Sequence, residues 1–530
     1  MSRKNIQVWL PFLLSLTLIT GMFFGYKLKD TMGQYGPAFP GRQKQTTLQE
    51  ILELVRSRYV DSVNVDTLGQ MAITNVLSQL DPHSVYINAA ELRNVSNELK
   101  GNFEGIGVEF ELLDDTVTVL NLFPKGPAET AGLQVGDQLL QANDSLVSGV
   151  KASSDKVRSQ FIGPRGTSVR IRLLRHGAPL TVSIQRGVIP VRSVDAAYLL
   201  EPGIGFIRLN KFSSTTYEEF MQHLERLKKE GMQHLVLDLR DNGGGILDDA
   251  IQIADEFLGG SREIVYTEGK SVPRQIYTAR RPGLLEEGKL VVLINEGSAS
   301  ASEVLAGALQ DWDRATIIGR RSFGKGLVQE QFYLSDGSAI RLTVSRYFTP
   351  VGRSIQKPYQ KGNGAAYDHE VSDRYQNGEM LHAGGAVPQG TPYKTKGGRT
   401  VYGGGGIMPD QYVAMDSAEF AFFKGNRFPR RLLAKTAFSY FMLTRDTLTQ
   451  FKNAPELAAF LEADNRLAAS LQRNLAADTS GVFSYTVQQQ QLLLRQVRSL
   501  VARQLWRREG YHKMNNLSDP MIARALELIR

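Results

Sequence analysis

The stretch LVVLINEGSASASEVLAGALQDW, residues 290–312, changes character once along its length. LVVLIN is a continuous apolar run, the pattern of a strand buried on both faces of a parallel sheet. ASEVLAGALQDW has the spacing of a helix, and small residues make the turn between the two. A buried strand that feeds a helix directly is a unit of an α/β sheet. It places Ser298, Ser300 and Ser302 at the helix N-terminus, where unpaired N–H groups bind a developing anion. Ser300 and Glu303 also have capping-box spacing, which makes the serine a structural residue; the local sequence leaves both roles open.

The same alternation extends outward. GIGFIRLNKF reads as a strand, TTYEEFMQHLERLKKEG as an amphipathic helix ended by Gly231, and HLVLDLR as another buried strand. DLRDNGGG, residues 238–245, leaves that strand through consecutive glycines. Glycines let backbone N–H groups approach a ligand closely, and they equally suit a plain tight turn before the helix expected at 246–258. Beyond residue 312, ATIIG, LVQEQFYL and AIRLTVSRYF read as strands. SFGKGLVQEQF puts Lys325 between two glycines, with Gln329 on the same strand face. A lysine works as a general base only when neutral, which takes desolvation. Phe323, Leu327 and Val328 offer an apolar wall, whereas a strand-edge lysine ordinarily keeps its head in water.

On the N-terminal side, residues 99–190 are short strands with turn signals, beginning with the hairpin pattern GIGVEFELLDDTVTVLNLF. TLQEILELVRSRYV and LGQMAITNVLSQL have helical spacing, so a small helical domain is expected at 46–98. Arg3 and Lys4 precede an apolar run from Ile6 to Tyr26, about the twenty residues needed to span a bilayer. With no small-residue cleavage site at 25–29, an uncleaved anchor is the expectation. After the core, residues 359–400 show no clear period and read as a long exposed loop. Helical spacing returns over 414–530.

Composition narrows the function classes. The chain has 530 residues, so two to four domains are expected. Its formal charge of +8 is scattered rather than gathered with aromatics into a stripe, which argues against nucleic acid. Cysteine is absent, which removes thiolate catalysis and disulfides. Seven histidines are dispersed, none at metal-ligand spacing, and His83 reads as structural. No metal or cofactor is expected. Gly319 to Lys325 has the spacing of a phosphate-binding loop, but Gly326 stands where a Ser or Thr should hold magnesium. SIQK, residues 354–357, matches Ser-x-x-Lys, yet Pro358 follows it and a loop is the better reading.

Eight segments in order, LDPHSVY, GIGVEF, PAETAGLQVGDQLL, LDLRDNGGG, GSASASE, FGKGLVQ, RYFTPVGRSIQ and GGGGIMPD, resemble the C-terminal processing peptidases, or tail-specific proteases, over residues 46–413. Joined to the readings above, the resemblance implies a multidomain α/β chain. Its parts are a signal anchor or transmembrane helix (1–30), a linker (31–45), an N-terminal helical domain (46–98), a PDZ-like domain (99–190), an α/β, crotonase-like peptidase core (191–413, with the 359–400 insertion) and a helical C-terminal region (414–530). It implies a serine endopeptidase with Ser300 as nucleophile, Lys325 as general base and Gln329 orienting the lysine. Backbone N–H groups of Gly244 or Gly245 and of Ala301 form the oxyanion hole. The PDZ-like module adds a C-terminal peptide as a strand, with Gly105, Ile106, Gly107 and Val108 cradling its carboxylate. Expected partners are therefore protein or peptide substrates with apolar C-termini and, through the first helix, a bacterial inner membrane, with the catalytic body on the periplasmic side. A homo-oligomer or an adaptor is left open. The family commonly has proline where this chain has Gly243. The rivals are a catalytically silent envelope scaffold and, by fold analogy alone, a lipid or retinoid binder.

Overall fold

The structure, a computed structural model, describes residues 3–31, 46–382, 390–425, 429–477 and 485–530. Two compact units divide the chain, residues 1–75 and 76–530, and each stands by itself below. In the first, α1 (Arg3–Thr31) is one helix over the apolar run, followed by α2 (Thr47–Arg58) and most of α3 (Val65–Ser78). Among the described residues no helix is long and apolar enough to cross a membrane, so the expected transmembrane segment is not supported. Within α1, Pro11 interrupts the apolar run, and the Ser15, Thr17 and Thr20 hydroxyls turn back onto the carbonyls of Pro11, Leu14 and Leu16. The expected linker at 31–45 lies outside the described residues except for Thr31, the end of α1.

In the second unit β1 (Val85–Ile87) and α4 (Ala89–Leu99) lead into a β-rich module. It comprises β2 (Asn102–Gly105), β3 (Val108–Leu113), β4 (Thr116–Leu122), α5 (Pro127–Thr130), β5 (Gln138–Ala142), β6 (Ser145–Leu146), α6 (Ser154–Phe161), β7 (Ser168–Arg175), β8 (Ala178–Gln185) and β9 (Gly187–Pro190). The sheet runs β3-β4-β5-β7-β8, with β6 beside β5, so β3 is an edge strand. Asp114 and Asp115, both at positive φ, make the tight β3–β4 turn whose twist suits a hairpin.

The next part holds β10 (Val194–Glu201), β11 (Ile204–Leu209), α7 (Thr216–Lys229), β12 (His234–Asp238), α8 (Leu247–Asp255), β13 (Glu263–Glu268), β14 (Gln275–Thr278), β15 (Leu290–Ile294), α9 (Ala301–Asp311) and β16 (Thr316–Gly319). It continues through β17 (Leu327–Tyr333), β18 (Ala339–Phe348), α10 (Gly364–Gln376), β19 (Pro392–Lys394), β20 (Thr400–Tyr402) and β21 (Gln411–Tyr412). The central sheet is β10-β11-β12-β15-β16-β21, parallel from β11 onward. Its apolar strands alternate between two cores: Leu235, Leu237, Val292 and Ile294 face α7, α8 and α9, while Val236, Val291 and Leu293 face the opposite side.

That opposite side is closed from the far end of the chain, after α11 (Ser417–Gly425), α12 (Arg430–Leu448), α13 (Ala454–Ala463), α14 (Asn465–Ala477) and α15 (Val487–Asn516). Met521, Ile522 and Ile529 of α16 (Pro520–Ile529) pack on it, each worth about 1.5–3 kcal/mol when fully buried. A parallel sheet needs both faces covered, and this helix supplies the second cover. Elsewhere α15 is broken at Trp506 and Arg507, which have non-helical dihedrals. Tyr511 and Gln496 would lie roughly 22 Å apart on a straight helix. They hydrogen-bond at 3.0 Å, so the chain folds back at the break.

The long loop expected at 359–400 is corrected in part. It contains α10 and the β19–β20 hairpin, with residues 383–389 outside the described set. The buried anchors of α10 are Tyr367 and Arg374 rather than an apolar stripe, which is why its period is invisible in sequence.

Candidate active site

The parallel strands β12 and β15 are neighbours, and the chain leaves both at their C-terminal ends, where ligands bind in open α/β sheets. From β15 the turn Asn295–Ala299 leads to Ser300, which caps α9 with φ 55° and ψ −115°. Such dihedrals cost a non-glycine residue about 1–3 kcal/mol and mark a strand-to-helix elbow that pushes a side chain out of the turn. The three serines of the motif have different fates. Ser298 Oγ donates to Leu239 O at 2.8 Å and Ser302 Oγ to Asn242 O at 2.8 Å, and both residues are fully buried. Ser300 is partly exposed. Its capping box has both arms in place: the Ser300 N–H donates to Glu303 Oε2 at 2.9 Å, and the Ser300 hydroxyl oxygen faces the Glu303 N–H, a role in which the oxygen only accepts and its own proton is given to no group among the described residues.

Glu303 does more than cap. Its carboxylate, completely buried, accepts from Ser300 N, from Lys325 N at 2.8 Å, from Gly324 N at 2.7 Å and from the Ser322 hydroxyl. Each oxygen takes two donors, and the nucleophile turn is thereby clamped to the FGKG loop. Burial pushes this carboxyl up to about 7, with the four donors pulling the other way. Tyr347 of β18 adds a second clamp: its hydroxyl meets the carbonyls of both Ser300, at 3.1 Å, and Lys325. Sequence reading missed both as site residues, because capping spacing hid Glu303 and nothing distinguishes Tyr347 within AIRLTVSRYF.

Lys325 stands just before β17, partly buried. Burial holds its ammonium below the ordinary lysine range; Arg341 pushes the same way, and the Glu303 and Asp81 carboxylates oppose. Among the described residues its Nζ has no hydrogen-bond or ion-pair partner, Ser300 Oγ included. Gln329 does not orient it here, since its amide donates to Leu327 O at 3.4 Å. Asp81 and His83 come from LDPHSVY, which β1 docks on β18. Asp81 accepts from Ser84 and from Thr343 of β18. His83, at 3.0 Å from the Tyr367 hydroxyl, is pushed down to about 4 by burial and by Lys325, so it is neutral near pH 7 and adds no charge beside the lysine.

Across from Ser300, a Cβ on Gly244 would fall 2.8 Å from Ser300 Cβ and 2.9 Å from Ala301 N, and one on Gly245 would fall 1.9 Å from Phe212 O. Both glycines have positive φ. Glycine is required here by space and by conformation. The Gly244 N–H is already taken by Asn242 Oδ1 at 2.9 Å. Among the described residues the N–H groups of Gly245, next in the chain to Gly244, and of Ala301, next to the serine, have no hydrogen-bond partner.

The loop expected to cradle a carboxylate is a tight turn between β2 and β3. Gly107 has φ 75° and its missing side chain admits Ile189, while Ile106 and Gly107 use their carbonyls, not their N–H groups, to hold Ala128 and Phe123. Val108 then starts β3, an edge strand of its sheet.

Comparison with known proteins identifies two of the domains. The model of peptidase family S41 matches residues 203–371, and that of the PDZ domain matches residues 105–185. A carboxy-terminal-processing protease of Bartonella bacilliformis is 38% identical over 314 residues, which are 58% of this chain and 71% of that protein. The carboxy-terminal processing protease of Bacillus subtilis is 32% identical over 322 residues, 60% of this chain and 68% of its own length. The solved photosystem II D1 C-terminal processing protease is 33% identical, covering 58% of this chain and 82% of that one at a TM-score of 0.34. The chain thus belongs to the C-terminal processing serine proteases of peptidase family S41 and carries a PDZ domain.

Proposed function

We propose that Ser300 is the nucleophile and Lys325 its general base, in an endopeptidase of the bacterial envelope that selects protein substrates by apolar C-terminal tails. One observation carries the assignment: among the described residues Ser300 alone of its motif's three serines has a hydroxyl that donates to nothing, at a strained elbow clamped to the loop that holds a desolvated, unpartnered lysine. A neutral Lys325 takes the serine proton as Oγ attacks the scissile carbonyl and returns it to the leaving amine. The N–H groups of Gly245 and Ala301, backed by the N-terminus of α9, stabilise the tetrahedral anion. In this reading Gln329 reaches the lysine once a substrate fills the cleft. The substrate tail adds to β3 with its carboxylate on the loop Gly105–Val108. Envelope placement, with α1 as the tether, rests on the apolar run Ile6–Tyr26 alone.

The test is cleavage of an unstructured protein with an apolar C-terminus, by the full chain and by its Ser300→Ala and Lys325→Ala variants. Loss of cleavage in both, with the folded state retained, is expected; cleavage surviving in either removes that residue from the dyad.

A further inference from the structure

A cavity of about 1700 Å³ lies between the PDZ domain, the peptidase core and the C-terminal helices. Sites for drug-sized molecules run to roughly 300–1,000 Å³, so this volume suits a length of polypeptide. Its wall includes the tail loop, Ile106 to Val108, and then Glu109 and Glu111 of β3. It also includes Asp241 and Asn295–Gly297, in the turns that lead to the oxyanion loop and to Ser300, although Ser300 and Lys325 are not part of the lining.

Opposite the tail loop stands the first half of α15. Leu492, Arg495, Gln496, Leu500, Arg503 and Gln504 line the cavity at spacings of one helix face. Their polar members are donors and none is acidic. Arg503 pairs with Glu109 at 2.9 Å. Arg495 is half-buried, and among the described residues its guanidinium has no ion-pair or hydrogen-bond partner. On the α6 side Arg158 lines the same space, with only an exposed ion pair to Asp155 at 3.8 Å.

Strand geometry says which substrate side chains meet these groups. Val108 and Phe110 pack on the PDZ core, so Glu109 and Glu111 face the other way, as the Glu109–Arg503 pair requires. A peptide added beside β3 alternates in the same manner. If its last side chain enters the apolar groove at Phe110 and Phe161, the second and fourth residues from the end face α15.

We propose that α15 is a further wall of the tail-binding site and that Arg495 makes it select tails with an acidic side chain second or fourth from the end. The inference rests on the tail recognition proposed above. The volume of the cavity and the parity of the strand favour an extended occupant, and the uncommitted Arg495 guanidinium favours an acidic side chain on it; of the two β3 carboxylates on the same face, Glu109 is neutralised by Arg503 and Glu111 opposes the preference.

The experiment uses the full chain carrying Ser300→Ala, which binds without cleaving, and fluorescent ten-residue tails with an apolar end. Glu is compared with Gln at each of the last five positions by anisotropy. Glu at the second or fourth position is expected to tighten binding about tenfold. Arg495→Gln removes that gain while the Gln tail binds as before, and Arg495→Glu transfers the gain to Lys-bearing tails. A gain that survives Arg495→Gln, or that ignores parity, overturns the proposal. An amidated tail tests tail recognition separately: if it binds as well as the free acid, the carboxylate cradle is wrong, whatever the charge dependence.

Discussion

The loops Ser322–Leu327 and Ser354–Tyr359 each bring a lysine to the same neighbourhood, joined where Lys357 N donates to Gly324 O at 2.9 Å. Burial lowers the affinity of both lysines for a proton. Their company separates them. Lys357 Nζ meets Glu370 and the Tyr367 carbonyl at 3.1 Å each and sits 3.9 and 4.1 Å from the ring centres of Phe323 and Tyr367. A carboxylate, a carbonyl and two aromatic faces all favour the ammonium form. Among the described residues Lys325 has none of these in direct contact, and the Glu303 and Asp81 carboxylates act on it only from a distance. A buried lysine is therefore not a base by virtue of burial; it becomes one when the fold leaves it without a partner.

The comparison breaks most visibly in turnover. Lys325→Ala is expected to lower kcat by about 10²–10⁴-fold, the usual contribution of a positioned acid–base group, with the unfolding temperature nearly unchanged. Lys357→Ala is expected to do the reverse: it takes one cationic partner from Glu370, which keeps Arg374 and Arg321, and costs about 0.5–1.5 kcal/mol of stability, while folded molecules keep their kcat. Purified variants followed by thermal unfolding and by initial rates decide the matter, and exchanged outcomes would move the base to Lys357.

The next effect in size concerns the clamp between serine and lysine. Glu303→Gln keeps the shape but turns one of the two accepting oxygens into a donor, facing groups that are themselves donors. Misplacing a catalytic group by about 1 Å costs on the order of 10²-fold in rate, and a loss of that size is expected here, concentrated in kcat. A Glu303→Gln enzyme of normal rate would show that the lysine loop holds its place without the carboxylate.

The pH profile sharpens the same point. Lys325 must be neutral to act, so its limb rises with pH and lies below the ordinary lysine range. Glu303, raised to about 7, must be ionised to accept four donors, so its limb also rises with pH, centred near 7. Two rising limbs are expected in kcat/KM for the parent and one in Glu303→Gln. A profile unchanged by the substitution assigns the whole rise to the lysine.

Much of this was legible in the amino-acid sequence, for reasons that can be named. The strands around LVVLI are apolar at every position, because β15 is buried on both faces, and DLRDNGGG and GSASASE follow the ends of two adjacent strands. Periodicity registers such features. It does not register contacts made by polar side chains across long separations, so Glu303, Tyr347 and the Asp81 anchor passed as a cap, a strand residue and a turn. The same blindness hid α10, held by Arg374 and Tyr367, and the role, though not the helical spacing, of α16, whose Met521 and Ile529 matter only once the second face of the sheet exists.

The three glycines of DNGGG extend the lesson of the two lysines at the smallest scale, since residue type is constant and surroundings differ. Gly244 and Gly245 have positive φ and no space for a Cβ, so alanine at either is expected to distort the oxyanion loop. Gly243 has an ordinary φ, open space for 4 Å around the point where a Cβ would stand, and an N–H that holds no backbone partner. Gly243→Pro therefore puts its Cβ into open space, removes no hydrogen bond among the described residues and restricts the unfolded chain, for an expected gain of about 0.4–1 kcal/mol in stability at unchanged KM. A stiffer loop also keeps Gly245 N–H aimed at the anion, so kcat is expected to hold or rise. A fall in kcat beyond tenfold would mean that the loop must move at this residue during turnover, and that proline, common at this position in the family, does not suit this chain.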